Sequence, residues 1–97
     1  MSDSQLTPTQ VAAASLKDWH QDGDTLRAHF DTGDFATGLE FVNRIGAAAE
    51  RRQHHPDVTL TYPEVSISLS SHDVGGITGR DIDLAREISK ISADMGL

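Results

Sequence analysis

Three of the five histidines stand in two short segments, His54-His55-Pro56 and Ser71-His72-Asp73, and the second runs on into Gly76-Ile77-Thr78-Gly79-Arg80-Asp81. Imidazole is the side chain whose ordinary pKa lies closest to neutral pH. Three imidazoles beside one carboxylate can therefore move protons at pH 7 without a metal or a bound cofactor. One imidazolium can donate to a leaving oxygen while a neutral ring removes a proton elsewhere on the substrate. Each such transfer is worth about 10²–10⁴-fold in rate. A carboxylate bonded to one ring nitrogen would fix that ring's tautomer.

The alternative chemistries for these residues are weaker. Adjacent histidines rarely aim both rings at one ion, and the i, i+4 helical pair of many zinc sites is absent, so no metal is expected. A lone histidine at a helix C-terminus often does no more than complement the dipole. His20 and His29 have no evident partners and read as solvated or strand-face residues. Gly75-Gly76 reads as a turn that permits positive φ.

The elements around these segments must bring them together. Thr7, Pro8 and Gln10 mark a helix start with a capping box, and residues 11–17 are alanine-rich. Asp22-Gly23 signals a hairpin turn. Leu26, Ala28 and Phe30 then alternate with polar residues as a half-buried strand. Asp34 can cap a second helix, whose apolar stripe is read as Phe35, Leu39, Val42, Ile45 and Ala49. Gly38 and Gly46 within it suit close approach to a neighbour. Pro56 disfavours helical geometry at His55, so this helix should end near Gln53.

Val58, Leu60 and Tyr62, then Val65, Ile67 and Leu69, form a second hairpin joined at Pro63-Glu64. Thr78 and Asp81 resemble a capping box for a third helix bearing Leu84, Ile88, Ile91 and Met95. The expected fold is α+β, a four-stranded antiparallel sheet with helices packed on one face, in the order α-β-β-α-β-β-α. In an antiparallel hairpin the start of one strand lies beside the end of its partner. His72 is thereby expected near His54 and His55, with Asp81 approaching the same corner.

Composition narrows the classes. Ninety-seven residues make one domain, 1–97, with residues 1–5 expected to be loose. The absence of cysteine excludes disulfides, thiolate metal sites and cysteine nucleophiles. A net charge of -7 disfavours direct contact with a phosphate backbone. Arg51-Arg52 reads as a solvated pair at a helix C-terminus. The start of the chain lacks a basic n-region and apolar stretch, and no apolar run approaches the ~20 residues that span a bilayer. No membrane association and a cytoplasmic location are expected. Exposed sheet edges suggest a homo-oligomer, dimer or tetramer.

Trp19, Phe30, Phe35, Ala49-Glu50, His54-His55-Pro56, Tyr62, Val65, Leu69, Ser71-His72-Asp73, Gly75-Gly76-Ile77-Thr78, Asp81 and Leu84-Ala85 together resemble the pterin-4a-carbinolamine dehydratase family. The resemblance implies removal of water across C4a and N5 of a 4a-hydroxytetrahydropterin, giving a quinonoid dihydropterin, with no cofactor and no metal. It implies His54, His55, His72 and Asp81 as the catalytic set. Glu50, Arg80, Ser71 and Asp73 are implied at the substrate pocket. Tyr62 is a candidate aromatic wall against the flat pterin, as is Trp19, although either could pack in the core. Gln53 and Val58 depart from the family pattern, which bears on substrate affinity. The resemblance also implies an alternative: a non-catalytic oligomeric binding protein on the same fold, acting as a transcription cofactor or enzyme-assembly chaperone. Such a module has no need of three histidines.

Overall fold

Each helix begins where a side chain satisfies backbone N–H groups that the helix itself leaves free. The structure, a computed structural model, describes residues 4–97. Helices α1, α2 and α3 cover Pro8–Ala13, Phe35–Arg52 and Gly79–Asp94. Thr7 and Gln10 form the expected capping box, with Pro8 in the first turn. The Asp34 carboxylate accepts the Thr37 N–H at 2.7 Å. Thr78 caps α3, with Asp81 completing its box. Of the segment expected to be loose, residues 1–3 lie outside the described residues. Just beyond it, the Leu6 N–H donates to the Ile77 carbonyl at 2.7 Å.

Strands β1 (Trp19–Asp22), β2 (Thr25–Asp31), β3 (Asp57–Thr61) and β4 (Glu64–Leu69) form one antiparallel sheet in the spatial order β1-β2-β4-β3. Gly23, at φ +60°, lets the first hairpin close between Asp22 and Thr25. The two hairpins lie side by side, so β2 and β4 are central. Their register pairs Leu26 with Leu69, Ala28 with Ile67 and Phe30 with Val65. All six are buried on the face that the helices cover. Arg27, His29, Ser66 and Ser68 alternate with them and point to the open face. The expected architecture and element order are those observed.

The apolar stripe of α2 is rotated from the one expected. Phe41, Ile45, Ala48 and Ala49 are buried, whereas Phe35 and Leu39 are 50% and 46% exposed. The reason lies at Gly38. A Cβ there would meet Leu60 Cδ1 at 2.7 Å and Thr32 Oγ1 at 3.1 Å. The bare Gly38 backbone therefore faces the sheet. Residues three, seven and ten positions on, Phe41, Ile45 and Ala48, share its side of the helix. The Phe41 ring meets Phe30 edge-on, with centroids 5.1 Å apart. Gly46 has open space beside it rather than a neighbour.

Helix α3 buries Ile82, Leu84, Ala85 and Ile88 against the same core, with Ile91 and Met95 at its margin. Trp19 belongs to this core, its indole N–H donating to Ser89 Oγ at 2.9 Å. Arg51 and Arg52 are not merely solvated. Both reach Glu87 on α3, at 2.5 and 2.7 Å, and fasten the end of α2 to it. These two guanidinium groups hold the Glu87 carboxyl below its ordinary value.

Candidate active site

The sequence turns sharply just after α2, and that turn aims the first histidine. Gln53 adopts left-handed geometry, φ 51° and ψ 42°. Its N–H bonds back to Glu50 O, and the His54 N–H to Ala49 O. This 6→1, 5→2 pair is a Schellman closure with glutamine in the place usually held by glycine. It directs His54 inward toward the start of α3. His55 is left outside, where Pro56 leads into β3.

His54 is buried, and its Nε2 lies 2.5 Å from Asp81 Oδ1. Asp81 itself is fully buried. Its second oxygen accepts the Ser71 hydroxyl at 2.8 Å and the Thr78 backbone N–H at 2.9 Å. Ser71 and Thr78 hydroxyls also meet, at 2.9 Å. One carboxylate thus joins the tail of α2, the segment after β4 and the first turn of α3. With Nε2–H donating to Asp81, the other ring nitrogen, Nδ1, carries the lone pair. Among the described residues Nδ1 has no hydrogen-bond partner, yet no buried side-chain nitrogen or oxygen is left unpaired. Nδ1 is thus the ring nitrogen that this network does not engage.

The segment carrying His72 is pinned on both sides of it. Ser71 forms a bridge with Gly76 and bonds Asp81. Asp73 receives Arg80 Nη2 at 2.7 and 3.0 Å. Positive φ at Gly75, +69°, lets this turn fold back to Ser71. The His72 ring between these anchors is exposed and makes no hydrogen bond among the described residues. The Arg80 guanidinium, and to a smaller degree His54, holds the Asp73 carboxyl below its ordinary value. His55 is exposed, with Nε2 2.5 Å from Glu50 Oε2. That pair borders a shallow apolar hollow formed by Val42, Ala49, Pro56 and Val58.

The expected residues are thus only partly gathered. His54, Asp81 and Ser71 are in direct contact; Asp73 and Arg80 flank them; His55 and Glu50 form a separate pair just beyond the turn. Ser71 was expected to touch substrate, but it is 1% exposed and its hydroxyl is held by Asp81 and Thr78. Tyr62 stands 71% exposed in the turn at the far end of β3, about 17 Å along the strand from Asp57. Trp19 is core. Thr78 was legible only as a helix cap, although its hydroxyl and N–H both enter the buried network.

A family model described as Pterin 4 alpha carbinolamine dehydratase matches residues 4–91. A relative from Thermosynechococcus vestitus, named for that dehydratase, is 43% identical over 91% of this chain and 95% of its own length. One from Nocardia farcinica, likewise named, is 39% identical over 95% of this chain and 99% of its own length. A solved transcriptional coactivator/pterin dehydratase from Brucella melitensis superposes with a TM-score of 0.86 at 28% identity, covering 91% of this chain and 98% of that one. A solved pterin dehydratase-like protein, described as a RuBisCO assembly factor in the alpha-carboxysome, shares the fold with a TM-score of 0.67 at 19% identity. That match covers 78% of this chain and 90% of the other.

The buried network sets a stability expectation. Asp81→Ala strands three buried donors, each worth about 1–3 kcal/mol when unpaired. We expect urea unfolding to show a loss of at least ~3 kcal/mol, against about 1–2 kcal/mol for Ser71→Ala. A loss below about 1 kcal/mol for Asp81→Ala would contradict the network.

Proposed function

The chain belongs to the pterin 4 alpha carbinolamine dehydratase family, and from that membership we propose that it dehydrates a 4a-hydroxytetrahydropterin by histidine acid–base catalysis. The observation that carries this reading is the His54–Asp81 pair. A carboxylate fixes one ring nitrogen and leaves the other open, beside the segment that bears His72.

The reaction asks little of the protein. In the carbinolamine the N5 lone pair already pushes toward C4a. The C4a–O bond breaks, the hydroxyl leaves as water after gaining a proton, and N5 gives up its proton as the N5–C4a double bond forms. Two groups suffice, an acid at the oxygen and a base at N5. His54 Nδ1 and the exposed rings of His72 and His55 are the groups we assign to these transfers. Asp81 acts through His54, and Ser71 and Thr78 act through Asp81. Arg80 and Asp73 hold the His72 segment, and Glu50 orients His55. No metal and no cofactor takes part in this scheme, and the reaction is one expected of a cytoplasmic enzyme. Among the described residues no helix is long and apolar enough to cross a membrane.

The non-catalytic reading has one specific support: the solved relative from Brucella melitensis carries a coactivator description together with the dehydratase one. The two roles are compatible on one fold. Direct nucleic-acid contact is not part of our proposal, because the chain carries a net charge of -7. We assign the working form as a homo-oligomer, dimer or tetramer. Phe35 and Leu39 face outward on α2, and β1 and β3 are free sheet edges.

Purified protein is expected to accelerate 4a-hydroxytetrahydropterin dehydration, followed by the absorbance of the quinonoid product. His54→Ala and His72→Ala should each lower kcat by about 10²–10⁴-fold. Prior dialysis against a chelator should leave the wild-type rate unchanged. A wild-type rate equal to the uncatalysed background would defeat the enzyme reading. Light scattering should give a mass at least twice the 10.5 kDa protomer; a monomer would remove the oligomer from the account.

A further inference from the structure

The open face of the sheet holds a second cluster of potential ligands, and it is unrelated to the dehydratase corner. His29 and Asp31 are two residues apart on β2, so both project from the same face. Glu64 on β4 is the register partner of Asp31, and Ser66 that of His29. His29 Nε2 lies 2.8 Å from Glu64 Oε2 and 3.5 Å from Asp31 Oδ1. One ligand atom from each of the three falls within 4.8 Å of the other two. Residue types alone offered His29 no partner; the β2–β4 register brings Glu64 and Ser66 to it, beside Asp31 on its own strand.

We propose that His29, Asp31 and Glu64 form a binding site for one divalent transition-metal ion, with Zn²⁺ as the probe. Two carboxylates meet one imidazole, so the ring even when protonated leaves an uncompensated negative charge. The nearest cation on this face, Arg27, is engaged by Asp22 at 3.1 Å and by Thr25. His29 Nδ1 sits 3.4 Å from Ser66 Oγ, a partner that can take its N–H and leave the Nε2 lone pair for a metal. His29 and Asp31 are paired with Ser66 and Glu64 across β2 and β4, and Glu64 is paired on its other side with Thr61 of β3, which fixes the relative placement of the three Cα positions. An imidazole with two carboxylates suits Zn²⁺, Co²⁺ or Mn²⁺ better than Mg²⁺ or Ca²⁺, which favour oxygen alone. Three protein ligands leave positions for water.

The site would clamp β2 to β4 at the end of the sheet opposite His54, about 17 Å away along β4. It is therefore independent of the dehydration chemistry and does not rest on it. Binding to the folded state alone should also raise thermal stability.

The test is a Zn²⁺ titration of the chelator-treated, dialysed protein by calorimetry, joined to imidazole ¹H–¹⁵N spectra and thermal melts. We expect one saturable equivalent, a shift of the His29 ring signals on binding, and a Zn²⁺-dependent rise in Tm. His29→Ala and Glu64→Gln should each weaken binding at least about tenfold, whereas His72→Ala should leave it unchanged. Absence of saturable binding up to millimolar Zn²⁺ would overturn the proposal. So would binding that survives His29→Ala, or wild-type spectra in which Zn²⁺ moves only the His54, His55 or His72 signals.

Discussion

A buried carboxylate is tolerable only when donors surround it, and Asp81 has three from three different parts of the chain. Withdrawing a carboxylate from water costs several kcal/mol unless charged or neutral donors replace the lost hydration. His54 Nε2, Ser71 Oγ and the Thr78 N–H supply that replacement. The tail of α2, the turn after β4 and the N-terminus of α3 must therefore meet at one point. The same residue closes the capping box of α3, so the start of that helix and the orientation of His54 cannot be set independently. In this corner, fold stability and site geometry are one problem.

Around this buried centre the outer contacts act as braces. Arg51 and Arg52 tie the last turn of α2 to Glu87, which limits how far the turn at Gln53 can drift from α3. Arg80 ties Asp73 to the first turn of α3, which limits the segment bearing His72. Exposed pairs of this kind add little stability individually. Their effect here is positional: they restrain the segments that carry His54, His55 and His72. The catalytic reading thus needs no deep cavity in one protomer, only a rigid corner with imidazole nitrogens facing out.

Much of this was readable from residue types and spacing. Period-two alternation in both hairpins and the caps at Thr7, Asp34 and Thr78 defined the element order. The hairpin argument set His72 beside His54 and His55, with Asp81 approaching the same corner; the contact that forms is between His54 and Asp81. Where residues stand otherwise than their types and spacing suggest, the reasons are identifiable. Phe35 and Leu39 fit a helical stripe as well as Phe41 does, and only the contact between the Gly38 backbone and Leu60 decides which stripe faces inward. Ser71 carries the same hydroxyl whether it meets ligand or carboxylate; burial distinguishes the two. Tyr62 is aromatic and close in sequence to the histidines, but a full strand length separates it from them. His29 acquired partners through the register between β2 and β4, a pairing of strands from different hairpins that no local pattern encodes.

The central claim is that Asp81 holds His54 by Nε2 and leaves Nδ1 as the working nitrogen. Long-range ¹H–¹⁵N spectra of the imidazole groups read this directly, since protonated and bare ring nitrogens differ widely in ¹⁵N shift. The account predicts that the neutral His54 ring keeps its proton on Nε2, with Nδ1 bare, and that Asp81→Ala abolishes this preference. A neutral His54 protonated on Nδ1 with Nε2 bare, or a tautomer unaffected by Asp81→Ala, would contradict it.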